Sequence, residues 1–100
     1  MGSRLELHSE LLTFYPNVYF QPPSNIQMVY PCIVYNKTGK YTQLANNKQY
    51  LSSQGYRIMV IEKNPDSVVA DDIERHFEFC KIQQYYTTDN LNHTTLNLNY

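Results

Sequence analysis

Gln54-Gly55-Tyr56-Arg57-Ile58-Met59-Val60-Ile61-Glu62-Lys63 is the stretch on which the fold turns. Between Tyr56 and Ile61 every residue but Arg57 is apolar or aromatic. The run is short, rich in β-branched residues and closed by Asn64-Pro65, which marks a strand rather than a helix. Tyr56, Ile58 and Val60 fall on one face; Arg57, Met59 and Ile61 fall on the other. Both faces carry apolar side chains, so the strand is predicted to be central and covered on both sides for part of its length. Its expected neighbour is the second apolar run, Cys32-Ile33-Val34-Tyr35. A polar excursion, Asn36 to Gln54, separates the two.

That excursion cannot build a core of its own. Asn36-Lys37-Thr38-Gly39-Lys40 reads as a turn or loop tip, Tyr41–Ala45 as a strand, Asn46-Asn47-Lys48 as another turn, and Gln49–Ser53 as a return strand. Together they predict a protruding β-arm or loop. An isolated hairpin is marginal in water, so such an arm needs a partner surface. Lys37, Lys40, Tyr41, Gln43, Leu44, Asn46, Lys48 and Tyr50 are therefore the candidate assembly-interface residues. Three lysines on an arm could touch nucleic acid; contact with a partner protein or keeping an exposed strand edge soluble is the favoured reading.

Upstream, Ser3-Arg4-Leu5-Glu6 fits a capping box, followed by Leu7, Leu11 and Phe14 on one helical face. A helix is predicted from Arg4 to Phe14, ended by Pro16, with His8 on its flank. Asn17–Gln21 reads as a short strand, broken at Pro22-Pro23 and so an edge strand. Ile26, Met28 and Tyr30 alternate on the way to Cys32. Downstream, Asp66 or Ser67 can cap a second amphipathic helix from Val68 to Phe77, with Val69, Ile73 and Phe77 inward. Its acids come early and Arg75-His76 late, as the helix dipole favours. Phe79–Tyr86 is the next strand and Thr87-Thr88-Asp89-Asn90 a turn cluster. Leu96, Leu98 and Tyr100 alternate in the last strand, giving a hairpin over Cys80–Tyr100. The fold class expected is α+β in one domain, residues 1–100: a mostly antiparallel sheet of about four to six strands, two short helices packed on it, and the arm.

Charged residues make up 17% of the chain and the net charge is −1, so its surface has little field for nucleic acid or for a charged substrate. Ten tyrosines and no tryptophan suit amphipathic contact surfaces instead. The early charges Arg4 and Glu6 argue against a secretory leader, and no apolar run approaches the ~20 residues of a membrane span. Synthesis and folding in the cytoplasm are expected, with no membrane partner.

Chemistry-bearing motifs are sparse. His8, His76, His93, Cys32 and Cys80 lack zinc-type spacing, and Gly39-Lys40 lacks the rest of a phosphate loop. Cys32 and Cys80 each lie in an apolar segment; two reduced thiols are expected, with a cross-sheet disulfide as the geometric alternative. Asp89 and His93 stand near a Thr-rich turn without a recognisable nucleophile. No catalytic, cofactor or metal residue is expected, and no enzyme activity. A minor activity would need a pocket joining Asp89, His93 and a tyrosine.

Three phrases carry a family resemblance: Tyr30-Pro31-Cys32-Ile33-Val34-Tyr35, the Gly55–Lys63 strand with Asn64-Pro65-Asp66-Ser67 after it, and Asp89-Asn90-Leu91-Asn92-His93. With the order of elements, they resemble the bacteriophage tail terminator and tail-completion (neck) proteins over most of the chain. The resemblance implies a structural virion protein. It would form a ring, commonly a hexamer, that ends the tail tube and joins it to the head. Its implied partners are copies of itself, the tail tube protein and head–tail connector proteins, with DNA only as cargo through the channel. Its implied location is the tail or neck of the virion, assembled in the host bacterial cytoplasm. The alternative is a small host-protein-binding or regulatory domain without catalytic activity, acting through the same Tyr-rich strands.

Overall fold

The strand that contains Tyr56–Ile61 lies at the centre of the sheet, as its two apolar faces demand. The computed structural model describes residues 3–44 and 50–100. In chain order the elements are α1 (Arg4–Leu11), β1 (Val18–Phe20), β2 (Cys32–Leu44), β3 (Tyr50–Glu62), α2 (Val69–His76), β4 (Cys80–Thr88) and β5 (Leu91–Asn99). The five strands form one sheet in the order β1-β2-β3-β5-β4. β2 pairs antiparallel with β3 through Ile33↔Val60 and Tyr35↔Ile58, and β3 with β5 through Ile58↔Leu96 and Tyr56↔Leu98. β4 and β5 form the expected hairpin. Asp89 and Asn90, both at positive φ (53° and 61°), supply the left-handed two-residue turn that matches strand twist.

Both helices pack on the face that carries Ile33, Tyr35, Tyr56, Ile58, Val60, Leu96 and Leu98. Leu7 and Leu11 of α1 and Ala70, Ile73 and Phe77 at α2 close the core over it. The α1 capping box forms as read, with the Ser3 hydroxyl accepting from Glu6 N–H. The helix itself ends at Leu11, not Phe14. It buries only Leu7 and Leu11, while Leu5 remains 66% exposed. At α2 the N-cap position is Val68, which makes no side-chain cap bond; the Ser67 hydroxyl, two residues ahead of the helix, accepts from Val69 N–H at 3.3 Å.

Three local expectations need correction, and the thiol alternative resolves to the expected reduced state. Asn36–Lys40 is no turn: β2 runs through it as strand, with a register shift between Lys37 and Lys40 that absorbs the Thr38-Gly39 pair. β1 is three residues long and pairs parallel with β2, Val18↔Ile33 to Phe20↔Tyr35. Parallel neighbours need a crossover, and residues 21–31 make it, so Ile26–Tyr30 is not strand. Gln21 turns the chain off β1 at φ 44°. Finally, Cys32 and Cys80 are both free. Cys32 shares a face with Val34 and Ile61, whereas Cys80, opposite Leu98, lies on the helix-bearing face. Two strands stand between them, on the order of 14 Å at the usual strand spacing. No disulfide spans that.

Candidate assembly surface

The β2–β3 ladder outruns the rest of the sheet. β1 leaves β2 after Tyr35, and Gln21 seals the exit: its N–H donates to Tyr35 O at 3.0 Å and its Oε1 accepts from Lys37 N–H at 3.1 Å. On the other side β5 leaves β3 at Asn99↔Gly55, with Tyr100 N–H donating to Gln54 O at 3.0 Å. Beyond these points the ladder continues from Lys40↔Gln54 to Leu44↔Tyr50. Neither strand has a second neighbour there among the described residues. The molecule measures 50 × 27 × 22 Å, elongated accordingly.

Gly55 forms the root of this arm. A Cβ there would meet Thr38 Oγ1 at 2.5 Å and Gly39 O at 2.7 Å, so the bulge can sit against β3 only because Gly55 lacks one. The Gln54 carboxamide donates to Gly55 O at 3.1 Å and to Gly39 O at 3.4 Å, which ties the bulge to β3. Of the residues named from sequence, Lys37 lies at the bulge and is exposed. Lys40, Tyr41, Gln43, Leu44 and Tyr50 fall on the two arm strands. Asn46 and Lys48 lie outside the described residues.

The sheet face opposite the helices is differently built. Cys32, Ile61, His93 and Tyr86 align across it in one row; Val34, Met59, Thr95 and Gln84 form the next. Tyr86 lies flat on His93, ring centres 4.8 Å apart, and its hydroxyl reaches Met59 Sδ at 3.7 Å. A concavity of about 510 Å3 opens beside them, lined by Arg57, Met59, Gln83, Gln84, Tyr86, Thr95 and Asn97. Asp89 and His93 are not among its lining residues. His93 is buried with Nδ1 3.1 Å from Leu91 O, while Asp89 sits exposed in the turn. The pocket that an Asp89–His93–tyrosine chemistry would need is therefore not this one. Among the described residues no group of three or more His, Cys, Asp or Glu is placed to hold a metal ion. No described helix is long and apolar enough to cross a membrane.

The remaining polar contacts fasten the helices and termini to the sheet. The Arg4 guanidinium donates to Tyr35 Oη at 3.2 Å and lies 4.4 Å over the Phe20 ring. His8 Nδ1 shares a hydrogen bond with the same hydroxyl at 2.7 Å. Burial raises the Tyr35 hydroxyl pKa, and Arg4 partly offsets it. Tyr15 donates to the buried Glu62 carboxylate, and burial with that bond pushes its hydroxyl up to about 12. Tyr100 donates to Glu10, and that bond, with burial, likewise raises the hydroxyl to about 12. The same bond holds Glu10 below its ordinary value against desolvation, with help from His76 at 2.9 Å. These contacts fix chain ends and helices to the sheet; they are structural.

Sequence reading missed Gly55 as the root of the arm and Gln83–Thr88 as an exposed sheet edge. The second had a visible signal: Gln83-Gln84-Tyr85-Tyr86-Thr87-Thr88 is an uncharged, β-prone run. In class, the chain is a small α+β protein with both helices on one sheet face and a hairpin carried past the sheet's end. Comparison with protein-family models, with curated proteins and with solved structures finds no match.

Proposed function

We propose that this chain is a structural virion protein of a bacteriophage neck or tail end, which assembles into a ring, hexameric by the resemblance, that terminates the tail tube and joins it to the head. The observation that carries the reading is the β2–β3 arm. From Lys40↔Gln54 outward it is two-stranded, and its outer backbone groups lack strand partners among the described residues. A two-stranded ribbon held by nothing else is marginal. An arm like this is what subunit-to-subunit assembly would use. The phage-like phrases around Tyr30–Tyr35, Gly55–Ser67 and Asp89–His93 point the same way. Rings arise from head-to-tail contacts that close, so one surface should receive what another presents.

The test is the mass of the purified full chain over a concentration series, alone and with tail tube protein. A discrete ring-sized species in either condition is expected. A chain that remains monomeric in both overturns the reading. The concavity beside Met59 and Tyr86 favours a second reading, a host-protein-binding domain. A monomer that instead forms an equimolar complex with one host protein would establish it.

A further inference from the structure

The two halves of β4 are protected unequally. β4 is an edge strand, bonded to β5 on one side only. Its first half carries the devices that stop an edge from pairing. Lys81 places a charge there, a register shift falls between Ile82 and Gln84, and the Glu74 carboxylate of α2 accepts from Ile82 N–H at 2.8 Å. That bond occupies the N–H an incoming strand would need. The second half, Gln84-Tyr85-Tyr86-Thr87-Thr88, carries none of these. It is regular in register with β5, free of charge and proline, and Tyr85 is 67% exposed. A strand edge guarded at one end and bare at the other offers a template of defined length.

The outer edge of β2 in the arm is bare as well among the described residues. Past the Gln21–Lys37 bond, Lys40 to Leu44 runs opposite Tyr50–Gln54 with its other side free of strand partners among the described residues. Charge selects the pairing direction. Arm strands Asn36–Leu44 and Tyr50–Gln54 carry Lys37 and Lys40 and no acid. The bare half of β4 is followed directly by exposed Asp89. Antiparallel pairing of Lys40–Leu44 on Gln84–Thr88 sets Lys40 at the Asp89 end of the ladder. The parallel alternative puts it beside Gln84, nearer Lys81. We infer that the outer edge of β4 over Gln84–Thr88 is the docking site for the β2 arm strand of a second copy of this chain, added antiparallel. The inference rests on the ring reading and names the receiving surface for it. The contact is heterologous, since arm and edge are different parts of the molecule.

The experiment replaces Tyr85 with the photo-crosslinker p-benzoylphenylalanine in the full chain and maps the crosslinked peptides by mass spectrometry. Native mass of Thr87→Lys and Gln83→Lys is measured alongside. The expected result is intermolecular crosslinking into residues 40–44, loss of the oligomer in Thr87→Lys, and retention of it in Gln83→Lys on the guarded half. Both variants should melt within a few degrees of the parent, since both sites are exposed. An oligomer whose crosslinks fall elsewhere, or which survives Thr87→Lys, overturns this docking and leaves the ring reading standing. A chain that is monomeric in every condition, with tube protein included, overturns both.

Discussion

Gly55→Ala tests the account of the arm's root, and its cost can be worked from distances. The new methyl would stand 2.5 Å from Thr38 Oγ1 and 2.7 Å from Gly39 O, where ordinary contact begins at 3.4 Å. The hydroxyl can rotate away. The carbonyl cannot, because it belongs to the backbone of the β2 bulge and accepts from the Gln54 carboxamide. Backbone must therefore yield by about 0.7 Å, the difference between 3.4 and 2.7 Å. Forced shifts of this kind cost about 1–3 kcal/mol. In a domain of this size each kcal/mol moves the midpoint by about 4–8 °C, so melting should fall by roughly 5–20 °C. Gly39→Ala is the control, because a Cβ there meets nothing within 4 Å. It should change stability by no more than about 0.5 kcal/mol. Urea unfolding followed by far-ultraviolet circular dichroism suits a chain without tryptophan. Equal midpoints for the two variants would refute the close approach of bulge and β3, and with it the explanation of why a glycine stands at the arm's root.

Further outcomes follow from the packing and titration. Ile58→Ala, fully buried between Tyr35 and Leu96 on the central strand, should cost about 2–5 kcal/mol in the same urea assay. Tyr15 and Tyr100 keep their protons to about pH 12 when folded, against about 10 unfolded. Their contribution to stability is whole below about pH 10 and is lost as pH rises through 12, so Tyr15→Phe and Tyr100→Phe should each remove one late proton from the absorbance titration. Glu10 has the opposite sign: its depressed pKa stabilises the fold above its ordinary 4.5 and the benefit is lost as pH falls through the folded value. Tyr100→Phe should thus raise the acid-unfolding midpoint. Mild oxidation should leave the monomer's two thiols unbridged by mass. Burial pushes both Cys32 and Cys80 up to about 11, so thiol reagents at pH 8 should label them far faster in urea than in the folded chain.

The central strand, its β2 partner, the closing hairpin and both helices were legible because each rests on a local pattern. These are the short β-branched apolar run in Tyr56–Ile61, turn residues at Asp89-Asn90, and i, i+4 spacing at Leu7/Leu11 and Val69/Ile73. What was not legible depends on relations between distant segments. Parallel pairing of β1 is set by where the 21–31 crossover lies. Asn36–Lys40 has turn composition, but pairing with β3 overrides it, and the bulge takes up the misfit at Thr38-Gly39. The arm was legible as a segment without a core. Its length as a strand was not, because strand extent there is set by the partner across the ladder. Leu5 in α1 and Leu12 at its C-cap sit at helical spacing yet stay exposed, since only one side of that helix faces the sheet.

The face without helices shows why the chain can afford a one-sided helical layer. Burial of Cys32, Ile61, His93 and Thr95 on that face is nearly complete although neither helix lies there. At one edge, Tyr19 Oη accepts from Val29 N–H at 3.1 Å and so holds the 21–31 crossover against the face that Tyr19 shares with Val34. At the other, Tyr86 lies on His93 and reaches over β5 to Met59. Tyr86 spans more than one strand, and each tyrosine gives its hydroxyl a fixed partner, which leucine could not do. Between them Arg57 and Asn97 remain exposed and polar, and the concavity opens there. Tyrosines at the rims thus take the place of a second helical layer, which is a physical use for a tyrosine-rich composition. It also leaves the second half of the β4 edge and the arm uncovered by helix.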